Sequence, residues 1–477
     1  MGNHGLGTLV PRVHRLTVLS RLPMPDCVLK KSCGTRTLTT GKVEEKESGS
    51  LIGGFYWAAL NMGFTQGSTF LAAILVARVL GKEDFGKFAI LYSTLLTVSS
   101  IAQLSIGTTA TKFVAESLPH NKGRAGRILG LSASFALVSG CIASAALAAL
   151  GPFVADRMLD APELGELFFV SSGFVLFSVL GAYQLGAVMG LHGQKTLGIF
   201  AMPAGLFHVG ALVMGAMAWG LAGVAIGLLG SAVFRWIIQA KVLRSESTKR
   251  GIVHDIRHAW DERAVLIRFA LPAALAGLST LPALWIGQVL LAKHTTGFEA
   301  VGIYAAGNNL RTMILFLPLA LNSVGTAFLN THWGARDAVR YRETFWKNLG
   351  LTAAFLIAGV GIIIILAPQA LSVFGQDFPS RSAEFVVALM ALAALPEGLA
   401  VSIYQIIQSR AKMWTSLWLV AMPRDITFVT LAFVLIPLHG AVGLACAYLS
   451  AQLLSLLAVT AITWFIGVKL TKAPHEF

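Results

Sequence analysis

The sequence predicts an all-α polytopic membrane protein, with about twelve transmembrane helices in two homologous six-helix bundles. Three observations predict it. First, the chain is 55% hydrophobic and only 13% charged, with mean hydropathy +0.71, whereas soluble proteins carry about 25% charged residues. Second, long apolar runs separated by short polar turns fill residues 51–468. Runs of roughly 20 apolar residues suit helices that cross the hydrocarbon core, whereas strands of a membrane barrel alternate over about ten. Third, the punctuation of the chain returns in order. Gly81-x-x-x-x-Gly86-x-Phe88-Ala89 is matched by Gly297-x-x-x-x-Gly302-x-Tyr304-Ala305, Leu150-Gly151-Pro152 by Leu366-Ala367-Pro368, and Gly220-x-x-Gly223-Val224-Ala225 by Gly440-x-x-Gly443-Leu444-Ala445. One match is weak where Gly and Ala are common; three at nearly one step argue for the internal repeat that many transporters carry.

In chain order, residues 1–50 read as a disordered cytoplasmic tail, with scattered Arg and Lys, three Pro and no sustained periodicity. Spans are predicted near 52–78, 86–110, 128–150, 166–190, 196–219 and 220–240, then 265–291, 299–325, 346–368, 383–408, 413–437 and 440–468. The implied domains are 51–240, a cytoplasmic linker 241–264, 265–470 and a short tail 471–477. In the first span, Gly63 and Gly67 stand four apart beside Asn61 and Gln66, a spacing that lets helices approach closely. His208 reads as hydrogen-bonded structure, and Arg235, near the predicted inner end of the sixth span, as a cation snorkelling to the headgroups. Residues His254 to Arg263 suggest an amphipathic helix on the inner membrane face, and Trp333 to Trp346 a similar one.

Charge fixes the expected orientation. Outside the tail, the predicted outer segments carry only Arg78, Lys82, Lys87, Arg157, Lys293 and Arg381, while the other loop cations fall on the opposite side. The positive-inside rule therefore puts both termini in the cytoplasm. It also accounts for the net charge of +14 without nucleic acid. Cys27, Cys33, Cys141 and Cys446 lack metal-ligand spacing. His254 and His258 stand four apart without an evident third ligand. No metal, no cofactor and no nucleotide-binding glycine loop is expected.

The charges inside spans carry the functional expectation. Arg235, Arg311, Arg424, Glu397 and Asp425 cannot be placed in loops, and a charge near the bilayer centre costs at least about 2.5–3.5 kcal/mol. Glu397 and Arg424 reach similar depth in neighbouring spans, each beside a Pro, in Pro396-Glu397-Gly398 and Pro423-Arg424-Asp425. Two arrangements are open. Neutral structural bridges would pair Arg424 with Glu397 and Arg311 with Asp425; adjacent Arg424 and Asp425 project about 100° apart and are not expected to face one neighbour. Alternatively, Arg311 and Arg424 line a central cavity for an anionic headgroup, with Glu397 and Asp425 balancing charge or coupling an ion. Asn61, Asn308, Asn309, Asn322, Gln405 and Gln408 would then hydrogen-bond sugars.

The segment through Gly81-Lys-Glu-Asp-Phe-Gly86-Lys-Phe88 to Gly107-Thr-Thr-Ala-Thr-Lys-Phe-Val-Ala-Glu116, with Arg124-Ala-Gly-Arg-Ile-Leu-Gly130 and Gly440-Ala-Val-Gly-Leu-Ala445, resembles Wzx-type polysaccharide biosynthesis flippases of the multidrug/oligosaccharidyl-lipid/polysaccharide exporter superfamily. That resemblance implies a MATE/Wzx-like scaffold in the inner (plasma) membrane. It also implies movement of a polyprenyl-diphosphate-linked oligosaccharide between leaflets by alternating access, not enzymatic chemistry. The implied partners are membrane lipid, the lipid-linked oligosaccharide and other polysaccharide assembly proteins. The alternative on the same scaffold is a cation-coupled multidrug exporter. A glycan polymerase or ligase would need a larger outer loop than the connection from Gly151 to Gly165.

Overall fold

Runs that are apolar all round fold as helices, because only there are the backbone polar groups satisfied within the segment. In the computed structural model, described over residues 40–263, 280–294, 297–334, 337–409 and 417–467, all the regular structure among those residues is helical. Compactness separates Met1–Gly49 from Ser50–Phe477, and the described helices suited to span a membrane belong to the second unit.

The elements are α1 (Thr40–Gln103), α2 (Ile106–Ser117), α3 (Lys122–Phe153), α4 (Glu163–Gly190), α5 (Gln194–Lys249), α6 (Thr280–Ala292), α7 (Gly297–Gly334), α8 (Ala338–Ile365), α9 (Ala367–Ser372), α10 (Arg381–Ser409) and α11 (Met422–Gly467). Seven helices among the described residues are long and apolar enough to cross a membrane. Three of those helices break at a glycine into two limbs: α1 at Gly81, α5 at Gly220 and α11 at Gly440. Split at these glycines the seven give ten limbs, beside α6 and α7; the predicted spans near 265–291 and 413–437 lie partly outside the described residues. In the first half α4 packs on α2, α3 and α5; in the second, α10 packs on α7, α8 and α11.

The repeated glycines have repeated geometry. Gly220 has φ 56°, ψ −134° and Gly440 φ 54°, ψ −128°, a left-handed turn that a Cβ would strain. Each turn folds its helix back closely: a Cβ on Gly223 would lie 1.9 Å from the Gly215 carbonyl, and one on Gly443 2.2 Å from that of Leu435.

The other repeated glycines join the two halves to each other. A Cβ on Gly86 would meet the Phe298 carbonyl oxygen at 1.8 Å, and one on Gly302 that of Lys82 at 2.1 Å. Around this crossing, Lys82 pairs with Glu299 at 2.5 Å, and Arg78 Nε donates to the Val373 carbonyl at 2.6 Å. Phe85 is buried between Phe374 and Phe378, with ring centroids 6.2 and 6.0 Å away. By contrast, Gly67 has nothing within 4 Å of a Cβ position, so the Gly63/Gly67 pair does not form the expected close helix approach.

Neither of the two expected surface helices forms among the described residues. α5 continues to Lys249, Gly251 turns at φ 65°, and residues 252–255 run without regular structure to a 3-10 turn at Ala259–Glu262. This strap lies on α3 instead of coiling. Asp255 N–H donates to the Gly126 carbonyl at 3.1 Å, and Arg127 reaches Glu262 at 3.0 Å, with Arg124 at 3.3 Å. Backbone groups held by a neighbour have no need of helix. Likewise Trp333 to Trp346 is the end of α7 and the start of α8, with Asp337 capping the latter through Arg340 N–H at 3.0 Å.

Candidate functional site

Charges inside a lipid-spanning fold must find partners or a cavity, and both outcomes occur. Arg311, on α7 and 8% exposed, forms an ion pair with Glu397 of α10. Its Nε and Nη2 also donate to Asn308 Oδ1 at 3.2 and 2.8 Å. Tyr448 of α11 completes the cluster, its hydroxyl donating to Glu397 Oε2 at 3.0 Å and its ring centroid lying 4.8 Å from the Arg311 guanidinium carbon. A desolvated cation over an aromatic face gains about 2 kcal/mol. Arg311 is therefore held by a carboxylate, an amide and a π face.

Arg424 pairs with its own neighbour, Nε to Asp425 Oδ1 at 2.8 Å. Its Nη2 donates to Thr280 Oγ1 at 2.5 Å, and the Thr280 hydroxyl donates to Asp425 Oδ2 at 3.4 Å. The expected bridges Arg424–Glu397 and Arg311–Asp425 are thus exchanged for Arg311–Glu397 and Arg424–Asp425. Adjacent side chains do share one neighbour, because the long arginine stem curls back across the 100° between them.

Gln405 is 1% exposed and belongs to a polar knot. Asn322 Oδ1 accepts from Gln405 Nε2 at 2.7 Å, Ser402 Oγ at 2.9 Å and Asn348 Nδ2 at 2.9 Å. This knot joins α7, α8 and α10. The side chain of Gln408 lies outside the described residues.

Two cavities have walls from both halves. The first is lined by Tyr92, Thr97 and His208 from one half and Trp285, Gln288, Asn308 and Asn309 from the other. Asn308 therefore presents the Arg311 cluster to this cavity. Asn309 donates back to the Ala305 carbonyl at 3.0 Å, and His208 bonds Ser231 at 3.1 Å, as expected of a structural histidine. The second cavity holds Asn61, Gln66, Arg235 and Gln239, with Ala320 of α7 also in its lining. Of the expected cavity residues, Asn61, Asn308 and Asn309 line these cavities, while Arg311, Arg424, Glu397, Asp425, Asn322 and Gln405 are not among their lining residues.

Arg235 is the residue the sequence reading passed over. Lys241 sets the predicted end of the sixth span, yet the second limb of α5 runs from Gly220 to Lys249. Arg235 consequently lies midway along that limb. The absence of a nearby acid in sequence was the available signal. Among the described residues no group of three His, Cys, Asp or Glu could hold a metal; His254 bonds Ser247 and His258 bonds Asp255.

Two repeated halves, cavities between them and ion pairs inside the spans define a polytopic membrane protein of transporter architecture. Residues 51–327 match the family described as polysaccharide biosynthesis protein, and the chain belongs to that family. It is 23% identical over 372 residues, covering 73% of this chain and 79% of the relative, to the EPS I polysaccharide export inner membrane protein EpsE of Ralstonia solanacearum. In fold it is similar to the inward-facing conformation of a multidrug resistance MATE family transporter of the MOP superfamily, with TM-score 0.71 at 16% identity over 86% of this chain and 96% of that one. An outward-facing conformation from the same superfamily gives TM-score 0.66 at 15% identity over 89% and 96%. These structures bear on fold alone.

Proposed function

We propose that the chain is a flippase that moves a polyprenyl-diphosphate-linked oligosaccharide from the inner to the outer leaflet of the inner (plasma) membrane. It would do so by alternating access, with both termini in the cytoplasm. The bundles of this reading are 51–240 and 265–470, joined by 241–264. The family supports a role in polysaccharide biosynthesis, and the EpsE relative is named for polysaccharide export. Membrane lipid and other polysaccharide assembly proteins are its partners in this reading.

The observation that carries the proposal is the amide-lined space between two halves whose repeated glycines close one end. Asn61 is separated from Gly81 by a helix limb of about 30 Å, so the second cavity lies toward the end away from that closure. A closed outer end with space below fits an inward-open state. Asn308 and Asn61 offer hydrogen bonds to sugar hydroxyls. Arg311 and Arg424 act as charge reserves: an incoming diphosphate competes with Glu397 or Asp425 for a guanidinium whose planar fork suits phosphate oxygens. A potential of 100 mV, negative inside, contributes about 2.3 kcal/mol for each negative charge moved outward.

Deletion followed by analysis of lipid-linked sugars tests this. The expected result is inner-leaflet accumulation with loss of surface polymer, and Arg311→Ala or Arg424→Ala should lower export while the protein stays in the membrane. Unchanged lipid-linked sugars in the deletion strain overturn the flippase reading. Organic-cation efflux lost in Glu397→Gln, with glycan export intact, would favour the multidrug alternative.

A further inference from the structure

The three arginines inside the spans differ in one respect. Arg311 and Arg424 each have a carboxylate. Arg235 has no ion pair or hydrogen bond among the described residues, and it lines the second cavity. Among the described residues, the polar side chains around that cavity besides Arg235 are the neutral Asn61, Thr65, Gln66 and Gln239, with no acid among them. Gln239 is 9% exposed, and its Oε1 finds no hydrogen-bond partner among the described residues. The cavity thus holds an uncompensated cation, while Gln239 Oε1 is packed against Gly181 of α4. An unpaired guanidinium within a spanning fold persists only where water or an anion can reach it.

We propose that Arg235 binds the phosphate of a lipid-borne headgroup in the cavity between α1, α4, α5 and α7, making this the cargo's anion site. The assignment rests on the flippase reading and names the group that first engages its substrate. The guanidinium fork takes phosphate oxygens, and the amides of Asn61 and Gln66 take adjoining hydroxyls. The apolar wall of Leu197, Phe200 and Ile238 suits the beginning of a hydrocarbon tail. Ala320 in the same lining belongs to the other half, so a ligand here touches both halves. Sequence position hid this site, since a cation taken to sit at the end of a span needs no counter-ion.

Phosphate on a lipid has two sources, the polyprenyl diphosphate of a cargo and the phosphodiester of bulk lipid. The test uses purified full-length protein in detergent with farnesyl diphosphate as probe, farnesol as its uncharged counterpart and phosphatidylglycerol as competitor. Wild type should prefer the diphosphate to the alcohol. Arg235→Gln should weaken diphosphate binding at least about tenfold, as expected for loss of charged hydrogen bonds, and leave farnesol binding unchanged, with Arg235→Lys intermediate. Equal diphosphate binding by wild type and monodisperse Arg235→Gln overturns the assignment, as does equal binding of diphosphate and alcohol by wild type. Competition by phosphatidylglycerol as strong as by the diphosphate itself would make this a structural-lipid site and overturn its role in cargo binding. The flippase reading fails separately, on unchanged lipid-linked sugars in the deletion strain, whatever Arg235→Gln binds.

Discussion

Gly86 and Gly302 meet across the two halves with no room for a side chain on either: each would drive a Cβ into a backbone carbonyl of the other half's turn, Phe298 or Lys82. The same motif therefore marks the repeat in sequence and makes the joint in space. A backbone carbonyl cannot rotate away as a side-chain tip can. Gly86→Ala or Gly302→Ala should disfavour the closed joint by about 1–3 kcal/mol, the usual cost of overpacking. Lys82→Cys with Glu299→Cys, bridged by a short bis-thiol reagent, reports the joint. Its cross-linking yield should fall severalfold when either alanine is added. An unchanged yield would mean that the aromatic contacts of Phe85 hold the joint without the glycines.

The Arg311–Glu397 pair predicts a rescue. Glu397→Gln leaves a buried guanidinium without its counter-ion, and breaking such a pair costs about 3–5 kcal/mol. Arg311→Met alone should be comparably damaging, because Glu397 is then left with Tyr448 only. Together the two changes should recover most of the thermal stability of the detergent-solubilised protein, since a neutral pair has no desolvation penalty. A double variant less stable than both singles would mean that the pair is not the dominant coupling there.

Asn322 should be the least replaceable amide in the second half. Its Oδ1 accepts from three side chains on two other helices. Asn322→Leu strands Ser402 and Gln405, both 1% exposed, at about 1–3 kcal/mol for each unsatisfied buried group. Loss of folded protein on size exclusion, partly reversed by adding Ser402→Ala, is expected. A fully stable Asn322→Leu would contradict the knot.

The spans and the repeat were legible because hydropathy and glycine spacing are local properties. Gly220 and Gly440 announce the same turn in both halves by their spacing alone. Partner choice among charges was not legible. Glu397 and Arg424 sit at similar depth, but rotation about the helix axis decides that Glu397 faces Arg311 on α7. Nor could hydropathy reveal that α5 runs on to Lys249, since the polar end of a helix and the start of a loop have like composition. What the sequence alone did not show is that Arg235 lines a cavity. The strap was misjudged for a related reason: His254 to Arg263 mixes charged residues with Trp260 as an amphipathic helix does, yet the backbone around Asp255 finds its partner on α3.

The strap should loosen in acid. Burial holds the His254 imidazole below its ordinary pKa of 6.5, and its Nε2 lies 3.1 Å from Ser247 Oγ. Because the docked state disfavours the proton, the stabilisation is fully present above pH 6.5 and declines as pH falls and the released strap is protonated first. Protection factors across residues 251–258, which correct for the intrinsic slowing of amide exchange in acid, should therefore fall between pH 7 and 5.5. His254→Asn keeps a polar group beside Ser247 but cannot titrate, so it should abolish that fall. Exchange that tracks intrinsic rates in both proteins would place the pH sensitivity of the strap elsewhere. Dependence that persists in His254→Asn would overturn the assignment to this imidazole.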